Sequence, residues 1–295
     1  MRRIIFFCAL FSLGLITGCQ KDLDWDINDV RNNTGGNTGG GTDTTLSEGE
    51  LMVRAVQIDA TTLDSSIAIL DWDSNKRLRE YFTETLGDTY DQRIERQSDG
   101  RISKIVSVAH YKPSGGDSAV YYPVYIPGTK QLDYVIDTFF SSLFGNLIDS
   151  ISFTYNSKGQ ITERLLTTTI FGIQTDGGRK DYEYDGNGNL IKFDTYADRA
   201  GTAKTGSATI SYSNHKAIAV LGEECFILSG LISETLVSKN DFDLLRSTDA
   251  TTGLTFSYDV SDAVYNEFDR QTYSYLSVTP KPPATSDYKR YYYYK

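Results

Sequence analysis

The stretch Asp181-Tyr182-Glu183-Tyr184-Asp185-Gly186-Asn187-Gly188-Asn189-Leu190-Ile191-Lys192-Phe193-Asp194-Thr195 decides the fold class. Tyr182 and Tyr184 share one face and Asp181 and Glu183 the other, which is the alternation of a half-buried strand. Asp185 to Asn189 is turn chemistry, with a carboxylate to bond the local backbone and glycine to supply positive φ. Beyond the turn, Ile191, Phe193 and Thr195 oppose Lys192 and Asp194, so a second strand returns along the first. This hairpin predicts that Tyr184 and Leu190 both lie on the buried side.

The same unit recurs. An aromatic residue is often followed by Asp or Asn, with Gly or a polar residue at +4 and an aliphatic at +6. Tyr155-Asn156-Ser157-Lys158-Gly159-Gln160-Ile161 is the second clear copy. Weaker ones start at Trp72 (WDSNKRL), Arg96 (RQSDGRI), Tyr212 (YSNHKAI) and Tyr258 (YDVSDAV). Starts at 72, 96, 155, 184, 212 and 258 are 24, 59, 29, 28 and 46 residues apart, and the short intervals each fit a hairpin and its return. The long ones imply degraded copies.

From Leu51 onward the pattern is period two with frequent turns, and the 21 Tyr and 14 Phe favour strands over helices. Phe139, Leu143 and Leu147 recur at helical spacing, but Gly145-Asn146 is a hairpin signal and Ser141-Ser142 are poor helix formers, so a hairpin is expected there. Leu78, Glu80, Phe82 and Glu84 share a face by parity, and acids in such a row are costly in lipid. A water-soluble meander is therefore favoured over a membrane barrel.

The N-terminus carries an address. Arg2 and Arg3 precede a largely apolar run from Ile4 to Ile16, the length of a secretory h-region and too short to span a bilayer. The run closes in Ile16-Thr17-Gly18-Cys19, which resembles a bacterial lipobox. That resemblance implies a signal peptide over residues 1–18 and acylation of Cys19, whose several chains give a stable membrane anchor. Residues 19–50 then read as a flexible tether, because Asn32-Asn33-Thr34-Gly35-Gly36-Asn37-Thr38-Gly39-Gly40-Gly41 has nothing to bury. Gln20-Lys21-Asp22-Leu23-Asp24 resembles the signal that sends some Bacteroidota lipoproteins to the cell surface.

The units at Tyr155 and Tyr184 resemble YD repeats, the hairpin modules of Rhs-type shells. With the lipobox and tether, the chain is similar to Bacteroidota lipoproteins carrying a domain of unknown function with a porin-like antiparallel fold. The resemblance implies a single all-β domain over residues 51–295. Its expected form is an antiparallel β-meander of successive hairpins, as a twisted sheet or partial porin-like barrel. It carries over no catalytic residues, and the copies are too few for a toxin-enclosing shell.

Removing residues 1–18 takes away Arg2 and Arg3 and carries the formal net charge from −10 to −12. Such a chain has no basic stripe for phosphates, so neither nucleic acid nor an anionic lipid surface is an expected partner. The tightest basic cluster, Lys76-Arg77-Leu78-Arg79, reads as a solvated strand face. Cys225, flanked by Glu223 and Glu224 and followed by Phe226-Ile227-Leu228, reads as a buried structural thiol.

No cofactor or metal is expected. Asp185-Gly186-Asn187-Gly188-Asn189 lacks the Gly and Glu that complete a calcium loop, as does the run from Asp71 through Asp73 and Asn75. His110 ends an expected strand and His215 lies in an expected turn, with no zinc spacing and no Gly-x-Ser-x-Gly elbow. Tyr121-Tyr122, Tyr125 and Tyr291–Tyr294 could stack on sugars or simply be half-buried strand residues. By elimination the expected function is a non-enzymatic, lipid-anchored module of the cell envelope or outer membrane that binds a protein or glycan. The alternatives are an envelope polysaccharide hydrolase using Asp/Glu pairs and a purely structural envelope protein.

Overall fold

In a computed structural model of the chain, residues 51–112, 115–141, 145–170, 173–229, 231–280 and 287–295 are described. The signal segment, Cys19 and the tether lie outside them. The first eight strands are β1 (Met52–Asp59), β2 (Ser65–Trp72), β3 (Leu78–Thr85), β4 (Asp88–Arg96), β5 (Ile102–His110), β6 (Gly116–Tyr125), β7 (Leu132–Ser141) and β8 (Gly145–Tyr155). The others are β9 (Ile161–Ile170), β10 (Ile173–Tyr184), β11 (Leu190–Tyr196), β12 (Lys204–Lys216), β13 (Asn240–Asp249), β14 (Thr255–Tyr265), β15 (Gln271–Thr279) and β16 (Tyr288–Tyr294). Each pairs antiparallel with its sequence neighbours, and β1 pairs with β16, so the meander closes into a full barrel. Ala55 sits opposite Tyr292, and Leu51 and Lys295 exchange backbone bonds of 3.0 and 3.3 Å. Closure removes both sheet edges, which would otherwise expose unpaired backbone.

The repeat units make the turns of one rim. In the unit from Tyr184, the Asp185 carboxylate accepts the backbone N–H of Asn187 and Asn189 at 2.9 and 2.8 Å, and Gly188 takes φ 92°. That carboxylate is committed to its own turn. Leu190 is fully buried, and Tyr184 packs against the core, as the alternation predicts. The units at 72, 96 and 155 form the same turn, with Lys76 held at φ 60° where the others have glycine.

Two expected copies do not form turns. Residues 212–218 continue out of β12, and 258–264 lie inside β14 around a bulge. The turn after β14 begins at Tyr265 instead, with Asn266 accepting from Phe268 and Arg270 and Asp269 at φ 63°. A further one begins at Tyr125, one residue longer, and delivers the fully buried Leu132. The 139–148 hairpin exists, but Gly145 and Asn146 pair within β8 opposite Ser141 and Phe140. Strand register won over the local Gly-Asn signal.

The rim residue at most of these positions also reaches back to the residue that ends the unit before it, and Trp72 reaches the start of β1. The Trp72 indole donates to Met52 O at 2.7 Å and Arg96 to Leu78 O at 3.4 Å. Tyr125 accepts from Ile102 N at 2.8 Å, and Tyr155 bonds the Leu132 backbone. Tyr184, Tyr212 and Tyr294 donate to Ile161 O, Leu190 O and Gln271 O at 2.9, 2.7 and 2.6 Å. The repeat is thus a relay of rim clamps that pays off backbone groups freed by the bulges. Tyr184→Phe strips one such bond and should cost about 1 kcal/mol by urea denaturation. Tyr122→Phe, on the exposed outer wall, should change nothing measurable, and equal losses would discount the clamp.

Apolar side chains line the inside: Ile94 faces Ile105, Val135 faces Ile151, and Tyr182 faces Phe193 across neighbouring strands. Between β12 and β13 the chain turns inward as an insert, with α1 (Glu224–Ile227) and a 3-10 turn (Glu234–Val237). Leu221, Cys225, Phe226, Ile227, Leu228 and Ile232 bury into the same cluster as the strand residues. Each such aliphatic contributes about 1.5–3 kcal/mol.

The outer wall is charged. Glu80 and Asp91 meet Arg93, Lys104 meets Glu95 at 3.1 Å, and Arg179 bridges Glu163 and Asp181 at 3.0 and 2.6 Å. Lys192 and Lys204 meet Asp194. A bulge at Arg79 puts Leu78 inside, so it does not share a face with Glu80, Phe82 and Glu84 as parity predicts.

Candidate functional site

The repeat-turn rim also carries both ends of the barrel, Leu51 and Lys295, and the insert. On it lies a cleft of about 320 Å³ whose walls come from three successive turns and whose floor is the insert. The β2–β3 turn contributes Lys76 and Arg77, the β4–β5 turn Arg101, and the β6–β7 turn Lys130. Lys76 and Arg77 therefore belong to a turn and a cleft, not to a strand face, because β3 begins only at Leu78. Trp72 and Leu78 form the apolar wall, and Glu223 and Glu224 lie at the bottom.

The floor is braced. The Tyr125 hydroxyl, fed by the Ile102 N–H, donates to Glu223 Oε1 at 2.5 Å. Burial pushes the Glu223 carboxyl above the ordinary glutamate value, and the neighbouring Glu224 charge adds to this, against the pull of Tyr125 and Arg96. Arg96, largely buried, lies 3.5 Å from Glu224 and donates to Gly100 O at 3.2 Å, while its Nε has no partner. At the mouth, Arg77 holds Asp73 and Arg101 holds Asp99, each at 2.7 Å. Lys130 donates to Asp99 O at 3.2 Å, and the Arg101 guanidinium lies 5.2 Å from the Tyr125 ring centre. Cations outnumber acids in this arc of an acidic protein. Such a cleft can take an anion at its mouth and accept hydroxyl protons at its floor.

Cys225 is buried, and burial first, then Glu224 and Glu234, drives its thiol well above the ordinary value, so it is no nucleophile at neutral pH. His110 ends β5 as expected. His215 lies in β12 rather than a hairpin turn, with Nδ1 2.6 Å from Asp269 and its ring stacked on Tyr265 at 3.8 Å. Ser213 Oγ accepts the His215 backbone N–H at 3.0 Å. The tyrosine clusters are split by strand alternation. Tyr121, Tyr125, Tyr292 and Tyr294 pack inside, while Tyr122 and Tyr293 are exposed and Tyr291 lies 5.2 Å from Tyr273. Stacking on a sugar by a run of four tyrosines is thus excluded by geometry.

Among the described residues, the strands set one carboxylate pair face to face on the inside. Asp137 and Asp149 face each other across β7 and β8, and Asp137 is 7% exposed. Its position in the packed wall, away from the cleft, leaves no room for a glycosidic bond between the two. Glu223 and Glu224, consecutive residues at a helix start, both line the bottom of the cleft. No group of His, Cys, Asp and Glu among the described residues could hold a metal ion.

The sequence matches no family model and no curated protein. Among solved structures, the fold is similar to a porin-like protein from Bacteroides uniformis at 10% identity and a TM-score of 0.50. The match covers 83% of this chain and 98% of that one. A porin-like protein from Bacteroides vulgatus is matched over the same shares at 9% identity and a TM-score of 0.39. The first likeness establishes the porin-like barrel fold and nothing about activity.

Proposed function

We propose that this is a lipid-anchored protein of the bacterial cell envelope, attached to the outer membrane through Cys19, whose barrel stands in water and binds a protein or glycan without catalysis. The observation that carries this reading is the polarity of the barrel. A barrel in lipid is apolar outside and polar within. Here the outer wall carries Arg93 and Glu95 at 67% and 57% side-chain exposure, among ion pairs on β2–β5 and β9–β12. The inner wall packs a continuous apolar cluster onto the insert, with buried polar groups such as Gln92, Asp137 and Arg290 set among it. Basic groups at the bilayer midplane cost about 2–4 kcal/mol each, so such a wall is unsuited to acyl chains. An inside occupied by the packed insert is equally unsuited to an open channel.

The tether in this reading joins the barrel at Leu51, so the cleft-bearing rim faces the membrane. The full-length lipoprotein in vesicles should yield a folded, water-soluble barrel when protease cuts the Gly/Asn/Thr-rich tether, and planar bilayers should show no conductance. Cys19→Ser should abolish labelling by an alkynyl fatty acid. A barrel that stays with the vesicles after cleavage, or that conducts, refutes the placement.

A further inference from the structure

We propose that the cleft on the repeat-turn rim binds an anionic sugar, with the acid group at the mouth and ring hydroxyls on the floor. This rests on the binding-module reading and names its ligand class. The mouth and the floor carry opposite chemistry. Arg77 and Arg101 occupy the +5 position of two successive turns, counted from Trp72 and Arg96, and Lys130 stands just before the corresponding residue, Gln131, of the longer turn from Tyr125, so hairpin succession brings the three charges to one cleft. The corresponding residues of the next two turns, Gln160 and Asn189, are neutral, which confines the positive arc to this cleft. Arg77 and Arg101 each engage one carboxylate, leaving further N–H groups of their forks for a ligand acid.

The floor suits hydroxyls. Glu223 and Glu224 are fixed by Tyr125 and Arg96 before any ligand arrives, and a carboxylate accepts several hydrogen bonds. A purely anionic ligand would be repelled there, and a neutral sugar would leave the mouth unused. Trp72 and Leu78, both buried, close one side of the cleft. A cleft of about 320 Å³ accommodates a short saccharide and not a folded segment of another protein. A uronic acid and a sugar phosphate offer the same chemistry to this site.

The test is calorimetric titration of the full-length protein in detergent with galacturonate oligomers, glucose 6-phosphate, and neutral glucose oligomers. Galacturonate binding identifies a uronic acid source and glucose 6-phosphate binding a phosphate source; either supports the inference if neutral oligomers do not bind. Arg101→Ala and Lys130→Ala should each weaken that binding about tenfold, the loss expected for one charge-assisted bond. Lys192→Ala, on the outer wall, should leave it unchanged. Equal binding of neutral oligomers, full competition by inorganic phosphate alone, or indifference to both cleft variants with the far-UV spectrum intact would each overturn it. So would turnover of any oligomer. If no saccharide binds yet a defined envelope protein is captured, this inference fails while the binding-module reading stands. If the barrel proves lipid-embedded, that reading fails first.

Discussion

Lys180→Met should destabilise the barrel by about 3–5 kcal/mol, the loss expected when a buried charge is left without its partner. Lys180 projects inward from β10 and holds the insert, with Nζ 2.6 Å from Glu234 Oε1 and 2.7 Å from Ser229 Oγ. Ser229 in turn donates to the same Glu234 oxygen at 2.5 Å. The ion pair is 13% and 8% exposed, so water cannot take over from a missing ammonium. Burial pushes the Glu234 carboxyl up, but Lys180 and Ser229 outweigh it and hold it below the ordinary glutamate value. The pair therefore stabilises the fold above the unfolded glutamate pKa, and that contribution is lost as the pH falls through the lowered value. The double variant Lys180→Met/Glu234→Met should recover most of the loss, since replacing both charges with apolar groups is nearly neutral. Guanidinium denaturation reads both numbers, and hydrogen exchange should show the insert opening first in the single variant. A double variant as unstable as the single one would mean that shape, not charge, pins the insert.

What could be read in advance was local. The Asp185 turn and the burial of Leu190 follow from residues within one hairpin. So does the inertness of Cys225, which its own neighbours announce. Closure could not be read, because Ala55 and Tyr292 meet across almost the whole chain and neither carries a mark of the other. Bulges explain the register errors: one extra residue at Arg79 moves Leu78 to the opposite wall from the one parity assigns. The cleft had a signal that a degraded copy concealed. Pro127 and one added residue disguise the unit from Tyr125, and without it Lys130 is not seen to come beside Arg77 and Arg101. The insert gave a misleading one, since Tyr212 to Ile218 has repeat spacing but leads the chain into the barrel. Its Tyr212 still clamps Leu190 O, which shows that the aromatic position is set by the rim and not by the turn after it.

Stability should fall as the pH rises from about 5 to about 8, and Asp137→Asn should remove much of that slope. Asp137 interrupts the inward row between Val135 and Phe139, opposite Tyr121 on one side and Asp149 on the other. Burial is the main reason its carboxyl is pushed up to about 7, with the Asp149 charge adding to it and Arg164 opposing. Its Oδ1 lacks the hydrogen-bond partner that a carboxylate ionised in the fold would need. Between the ordinary aspartate value and about 7, the folded chain keeps this proton and the unfolded chain has lost it. Stability is therefore fully present below that window and is lost on rising through it. A shift of this size is worth at most about 4 kcal/mol, and relaxation of the wall should leave about half. Asp241, also pushed up to about 7 chiefly by burial, and Glu223 and Asp243, raised by burial, act in the same sense and carry the slope that remains in Asp137→Asn. The acids held low, Glu234 and Asp194 among them, titrate below this range and do not mask it. Melting temperatures of wild type and Asp137→Asn at both ends of the range decide the matter. The amide should raise the melting point at the alkaline end and leave it nearly unchanged at the acidic one. Because Arg164 opposes the shift and also donates to Phe226 O at 2.9 Å, a charged Asp137 competes for the guanidinium that ties the insert to the wall. Unchanged melting across the range in wild type would show that the wall admits water to Asp137, and the packed interior argued from it would have to be given up.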